Sequence, residues 1–225
     1  MTRYFVPAIL DKFTLAEQRL GALLEYLNQV SGAVADLTEL ASAELRARAD
    51  SMSDAGHAFW VDELVITHEP WDYFVCASAI VMAYAVLEDT LACAAEYFQQ
   101  SQGRQLSYKD LAGPPNYERA LKYLSLEIGL AVEPLPEQAK LLALLRQLRN
   151  SIAHTEGVVS KRELREKLRR LWPEVVDKDD FLVLNKPLCA EMISAVGGYL
   201  QLMRSRAEKL IAHDEEDADQ QGDSL

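Results

Sequence analysis

The stretch Tyr73-Phe74-Val75-Cys76-Ala77-Ser78-Ala79-Ile80-Val81-Met82-Ala83-Tyr84-Ala85-Val86-Leu87 runs for fifteen residues without a charge, and Glu88-Asp89 close it. Apolar side chains occupy almost every azimuth of a helix drawn through it. A helix that is apolar all round belongs at the centre of a bundle rather than on its surface. Fifteen uncharged residues fall short of the roughly 18 to 20 needed to cross a bilayer, so a buried helix is expected and not a membrane span. Pro70 suits the first turn of this helix, and Gly103 follows its expected end near Gln100.

Outward from this centre the chain reads as more helices. Leu20, Leu23, Leu27, Val30, Val34, Leu37 and Ala41 alternate at three and four residues, the buried seam of a long first helix to about Ala49. Thr14 and Glu17 have the spacing of a capping box at its start. The seam serves either the chain's own core or a dimer surface. Residues 51–62 read as a polar connection, and 101–115 as a loop ending in Gly113-Pro114-Pro115. Asn116 is placed to cap a short third helix reaching Leu130. A fourth helix starts near Pro136 and carries Leu141, Leu142, Leu144, Leu145, Leu148 and Ile152 before Gly157 stops it. Ser160 and Glu163 form a second capping-box pattern, opening a short basic helix that ends before Trp172-Pro173. A brief extended piece is expected at Phe181 to Leu184, and a last helix from Asn185 and Pro187 to about His213. The fold class is all-α, a bundle of about four long helices plus short ones, with residues 1–213 as one domain. The acidic segment 214–225 is expected to be a disordered tail.

Composition agrees with a folded domain: of 225 residues, 49% are apolar and 26% charged. Disorder throughout and a disulfide scaffold are excluded. Cys76, Cys93 and Cys189 are an odd set without paired spacing and read as buried free thiols. The N-terminus lacks the pattern of a secretory leader, so the expected location is cytoplasmic, with no membrane partner. The net charge of −12 opposes indiscriminate nucleic-acid binding, yet the charge is uneven. The tail holds six acids, whereas Arg146 to Arg170 holds eight bases against three acids.

No Glu-x-x-His pair of the di-iron bundles is present, nor HExxH, GxSxG or a phosphate-cradling glycine motif, so no metal and no cofactor are expected. The remaining polar cluster is Leu145-Arg146-Gln147-Leu148-Arg149-Asn150-Ser151-Ile152-Ala153-His154 on the leucine-rich fourth helix. With Arg146 at zero, Asn150 lies at about 40°, His154 at about 80° and Gln147 at about 100°, opposite the leucines. Arg149 falls at about −60°, so only its length, or a two-fold partner, brings it to His154. Glu88 and Asp89 interrupt an apolar helix, and one of them is expected to pair with Arg149 or Arg146. His57, Trp60, His68 and Trp71 read as packing or capping residues.

Arg149-Asn150-Ser151-Ile152-Ala153-His154, as R-N-x-x-A-H, resembles the R-x(4-6)-H motif of HEPN (higher eukaryotes and prokaryotes nucleotide-binding) domains in its form with Asn after Arg. With fourteen Arg, four Asn and four His in the chain, chance would supply such a match about 0.004 times. The resemblance rests on six residues and implies an all-α bundle that dimerises to build one composite ribonuclease site. It assigns His154 the proton transfer at the ribose 2′-hydroxyl, Arg149 the scissile phosphate and Asn150 a supporting role. Arg146, Lys161, Arg165 and Arg169 are candidate substrate-binding residues beside them. The implied activity is metal-independent endoribonuclease cleavage, toxin-like or defence-related, by a homodimer, with RNA as substrate and an antitoxin or regulatory protein as a further partner. Two readings compete with it. One is a catalytically inactive HEPN-like scaffold that binds nucleotide or a partner protein, and the other is a plain helical interaction subunit.

Overall fold

The computed structural model describes residues 6–49, 53–113, 117–130 and 133–222. They form an all-α fold: α1 (Val6–Ala49), α2 (Asp54–Ser101), a 3-10 turn (Tyr108–Asp110), α3 (Tyr117–Leu126), α4 (Pro136–Thr155), α5 (Arg162–Leu171) and α6 (Lys186–Gly222). No strand occurs among the described residues; two isolated bridges, Val158 to Phe181 and Val176 to Leu182, mark the extended piece expected near Phe181.

Several helix starts depart from the sequence reading. Helix α1 begins at Val6, with Pro7 in its first turn, so Thr14 lies inside it and its hydroxyl donates back to Leu10 O at 3.0 Å. Helix α2 begins at Asp54 rather than Pro70, with Ser53 Oγ accepting the Gly56 N–H at 3.2 Å, so the segment read as a connection is helical from Asp54 onward. Helix α5 has Lys161, not Ser160, at its N-cap, and no side chain caps it. Helix α6 starts where expected, Asn185 Oδ1 accepting from Leu188 N at 2.9 Å, and continues past His213 to Gly222. Helix α3 is shorter than expected, and its proposed cap Asn116 lies outside the described residues.

Two compact units divide the chain. The first comprises Met1–Gly21, Ala83–Leu142 and Ser194–Leu225. Its core joins Phe13 and Leu20 of α1, Leu87, Leu91 and Phe98 of α2, Tyr123 and Leu124 of α3, and Tyr199 and Met203 of α6. Tyr84, buried as its apolar setting suggests, meets Tyr117 edge-on at 5.7 Å. Asp89 pairs with Arg19 of α1 at 3.7 Å. Glu17 lies 3.7 Å from Arg204, which also holds Glu208 at 2.9 Å.

The second unit comprises Ala22–Met82 and Ala143–Ile193. Its core is built from Leu23 and Leu27 of α1, Val75, Ala79 and Ile80 of α2, Leu144, Leu145 and Leu148 of α4, and Leu188, Met192 and Ile193 of α6. Cys76 and Cys189 are buried, the Cys189 thiol facing the Cys76 carbonyl oxygen at 3.7 Å; Cys93 is half-buried. A hydrogen bond with the Cys76 thiol, and after it burial, push the Cys189 thiol far above its ordinary range. The α1 seam is used only in part: Leu23 and Leu27 are buried, whereas Leu37 is 58% exposed. Trp71, read as a packing residue, is exposed as well.

Trp71–Ser101 within α2 is long and apolar enough to cross a membrane by length and composition, and 56% of its most apolar window is buried inside the fold. The same hydrophobicity suits a central helix.

Leu148 has no exposed surface, so Leu148→Ala should cost about 2–5 kcal/mol through lost burial and a residual cavity. Leu37→Ala should stay within about 0.5 kcal/mol. Urea midpoints of the two variants against the parent check both values.

Candidate active site

The candidate site lies at the C-terminal end of α4. Leu144, Leu145 and Leu148 are fully buried, which fixes the roll of the helix about its axis and turns the opposite face outward. That outward face carries the motif. Arg146, Gln147 and Arg149 are half-buried, and Asn150 and His154 are exposed. Helical geometry sets Arg149 far from His154, but its side chain leans across the face: Nη1 donates to Asn150 Oδ1 at 3.2 Å. Asn150 stands one turn before His154, so the contact carries the guanidinium toward the imidazole's side of the helix. His154 is exposed, and no hydrogen bond or ion pair engages it among the described residues.

The helix ends sharply just beyond His154. Glu156 and Gly157 adopt φ of 51° and 86°, left-handed conformations that break α-helical propagation. Gly157 N closes back on Ser151 O at 3.2 Å, and the Thr155 hydroxyl lies 2.8 Å from Ser151 O and 2.6 Å from Val158 O. The turn is then stitched to a distant segment: Val159 N donates to Asp180 O at 2.8 Å and Leu182 N to Gly157 O at 3.0 Å. Asp177 Oδ1 accepts from Asp179 N at 2.8 Å and Phe181 N at 2.9 Å, shaping the loop that receives it.

Tyr73 of α2 occupies the space beside Gly157, where an added Cβ would fall on its hydroxyl and ring. Burial and the Glu156 carboxylate raise the Tyr73 phenol above its ordinary pKa, so it stays protonated. Its hydroxyl is buried without a partner among the described residues, as is the hydroxyl of Ser151, the second residue after Arg149. Neither was singled out by the sequence reading. Ser151 lay inside the motif at an unspecified position, and nothing local could have revealed Tyr73, which is 78 residues upstream in sequence.

The neighbouring bases divide into two groups. Arg165 forms an ion pair with Asp180, and Arg169 Nη2 donates to Asp177 O at 2.8 Å, so both fasten α5 to the 177–180 loop. Arg162 is bound one turn on by Glu166 at 2.7 Å. Lys161 is exposed and lines a cavity of about 140 Å³ together with Asn150 and Ser151. Among the described residues, no group of three or more His, Cys, Asp or Glu side chains is arranged to hold a metal ion. A larger cavity of about 270 Å³, lined by Glu88, Tyr108, Lys109, Tyr117 and Arg119, lies in the first unit. There Lys109 is paired with Glu96 at 2.7 Å, and Arg119 donates to the Lys109 and Gly113 carbonyls.

No protein-family model, no curated protein and no solved structure matches this chain.

Gly157→Ala should destabilise the second unit by about 1–2 kcal/mol from left-handed strain alone, and more because Tyr73 must move. Combining it with Tyr73→Ala should recover the steric part and not the strain. A double-mutant cycle in thermal melts that shows no coupling would mean the two residues do not compete for this space.

Proposed function

We propose that this chain is an HEPN-type, metal-independent endoribonuclease, toxin-like or defence-related, that acts in the cytoplasm as a homodimer with a composite Arg/His site. The observation that carries the reading is the convergence of Arg149 on Asn150 at 3.2 Å, on the same exposed helix end as His154. A cation, an amide and an imidazole on one face suit phosphodiester chemistry. In the reaction, His154 of one copy accepts the 2′-hydroxyl proton while the 2′-oxygen bonds to phosphorus. The bond from phosphorus to the 5′-oxygen breaks, and a protonated imidazole from the second copy returns a proton to that oxygen. The products are a 2′,3′-cyclic phosphate and a 5′-hydroxyl. Arg149 offers paired N–H donors to the non-bridging oxygens, which carry growing negative charge, and Asn150 holds that guanidinium in place.

A second copy is required because one helix end supplies a single imidazole for two proton transfers. The apolar surface near the motif suits such a copy. Trp71, Phe74 and Met82 are 55%, 61% and 53% exposed, and helical spacing gathers them on one stripe of α2. The Phe74 ring meets Tyr73 edge-on at 5.8 Å, next to the turn that ends the motif helix. A stripe of this kind is normally covered by another apolar surface.

The silent-scaffold reading draws support from Arg165 and Arg169, whose engagement with Asp180 and Asp177 lessens the charge available to RNA. A cleavage assay separates the two. With end-labelled structured and single-stranded RNAs in excess EDTA, the parent protein should leave cyclic-phosphate ends, and His154→Ala should lower the rate by about 10²–10⁴-fold. Arg149→Lys should also be impaired, because a point charge cannot replace the paired donors. Absence of cleavage by folded dimer would favour the scaffold.

Phe74→Asp should shift the protein toward monomer in light scattering and lower cleavage in parallel. An unchanged mass would remove this stripe from the interface.

A further inference from the structure

The start of α5 and the end of α4 border the cavity of about 140 Å³, lined by Asn150, Ser151, Ser160 and Lys161 and, on its apolar side, by Val158, Val159 and Leu164. That volume is well below the roughly 300–1,000 Å³ of a drug-sized pocket and suits a single compact group. Three features give it a common preference. Helix α5 has no side-chain cap, so its first-turn N–H groups, at Arg162, Glu163 and Leu164, have no acceptor among the described residues, and of these three residues Leu164 lines the cavity. Ser151 is only 4% exposed and its hydroxyl has no partner, although it lines this space. A buried hydroxyl without a partner costs free energy and is expected to be satisfied by something. Lys161, at the N-cap itself, adds a full positive charge to the positive end of the helix dipole. Glu163, the acid of this turn, is exposed, and Glu166 is held by Arg162.

We infer that this cavity is an oxyanion subsite that binds one phosphoryl group, with Ser151 and the α5 backbone as donors and Lys161 as counter-charge. Uncapped helix starts are natural phosphate sites, because amide donors and dipole act together. The group is either a phosphate of the RNA chain next to the scissile one or the phosphate of a small free ester. The RNA source rests on the endoribonuclease reading, since Asn150 borders both the cavity and the Arg149 contact. The preference for an oxyanion rests on the cavity alone.

Titration of the full-length protein by amide NMR with inorganic phosphate, at constant ionic strength, tests the subsite directly. Resonances of residues 162–164 should shift, and Ser151→Ala and Lys161→Met should each weaken binding about ten-fold, while His154→Ala leaves it unchanged. Ser151→Ala removes an unsatisfied hydroxyl with little change of volume, so it should fold at least as well as the parent. A second titration uses a short RNA carrying 2′-deoxy sugars at every position and a 3′-phosphate, which cannot be cleaved. Tighter binding than inorganic phosphate, still sensitive to Ser151→Ala, identifies the RNA chain as the source, and equal affinity identifies a free ester. No shift at 162–164 in millimolar phosphate, or equal affinity in the Ser151 and Lys161 variants, overturns the subsite. Loss of RNA cleavage with phosphate binding intact would count against the nuclease reading and leave the subsite standing.

Discussion

A helix can bury only one side, and that limit organises the candidate site. Helix α4 commits Leu144, Leu145 and Leu148 to the core, and the commitment sets the azimuth of every other residue on it. Arg146, Gln147, Asn150 and His154 face outward as a consequence of leucine packing. The polar face needs no stabilising energy of its own. What it does need is a side chain long enough to cross from the azimuth of Arg149, and the contact with Asn150 carries the guanidinium part of that way.

The second requirement is a helix that stops in the right place. Two consecutive left-handed residues, Glu156 and Gly157, end α4 within one turn of His154, and only the second is a glycine. The conformation at Glu156 is uphill by itself, and the surroundings hold it through the Thr155 hydroxyl, the Gly157 N–H and the bridges to the 180–182 segment. Tyr73 closes the remaining side. Charge is used here for structure: Arg165 and Arg169 fasten α5 to the loop that holds the turn.

Much of the fold was legible because helices are written in local periodicity. The all-α class, the apolar character of α2, the leucine face of α4 and the stop at Gly157 follow from spacing and from single residues with strong backbone preferences. Helix starts were less legible, since a Thr-x-x-Glu pattern states a preference that a longer helix overrides. At α1 the apolar run from Ile9 and Phe13 packs into the core ahead of Thr14, and helix continues through it. At α2 the capping side chain is Ser53. Side-chain pairing was least legible: the partner of Asp89 comes from 70 residues earlier, and the partners of Arg165 and Arg169 come from the loop beyond α5. The motif residues could be read, whereas the unsatisfied Ser151 hydroxyl and the Tyr73 phenol appear only when distant segments are brought together.

The two buried thiols of the second unit have a kinetic meaning. Cys189 reaches the backbone of Cys76 across α2 and α6, and the hydrogen bond with the Cys76 thiol together with burial holds its proton firmly. Thiol reagents attack the thiolate, so this residue is inert for as long as the two helices stay together. Its rate of modification is therefore a clock for their separation. When closing outpaces the reagent the clock records how often the unit opens at equilibrium, and when the reagent wins it records the opening rate itself.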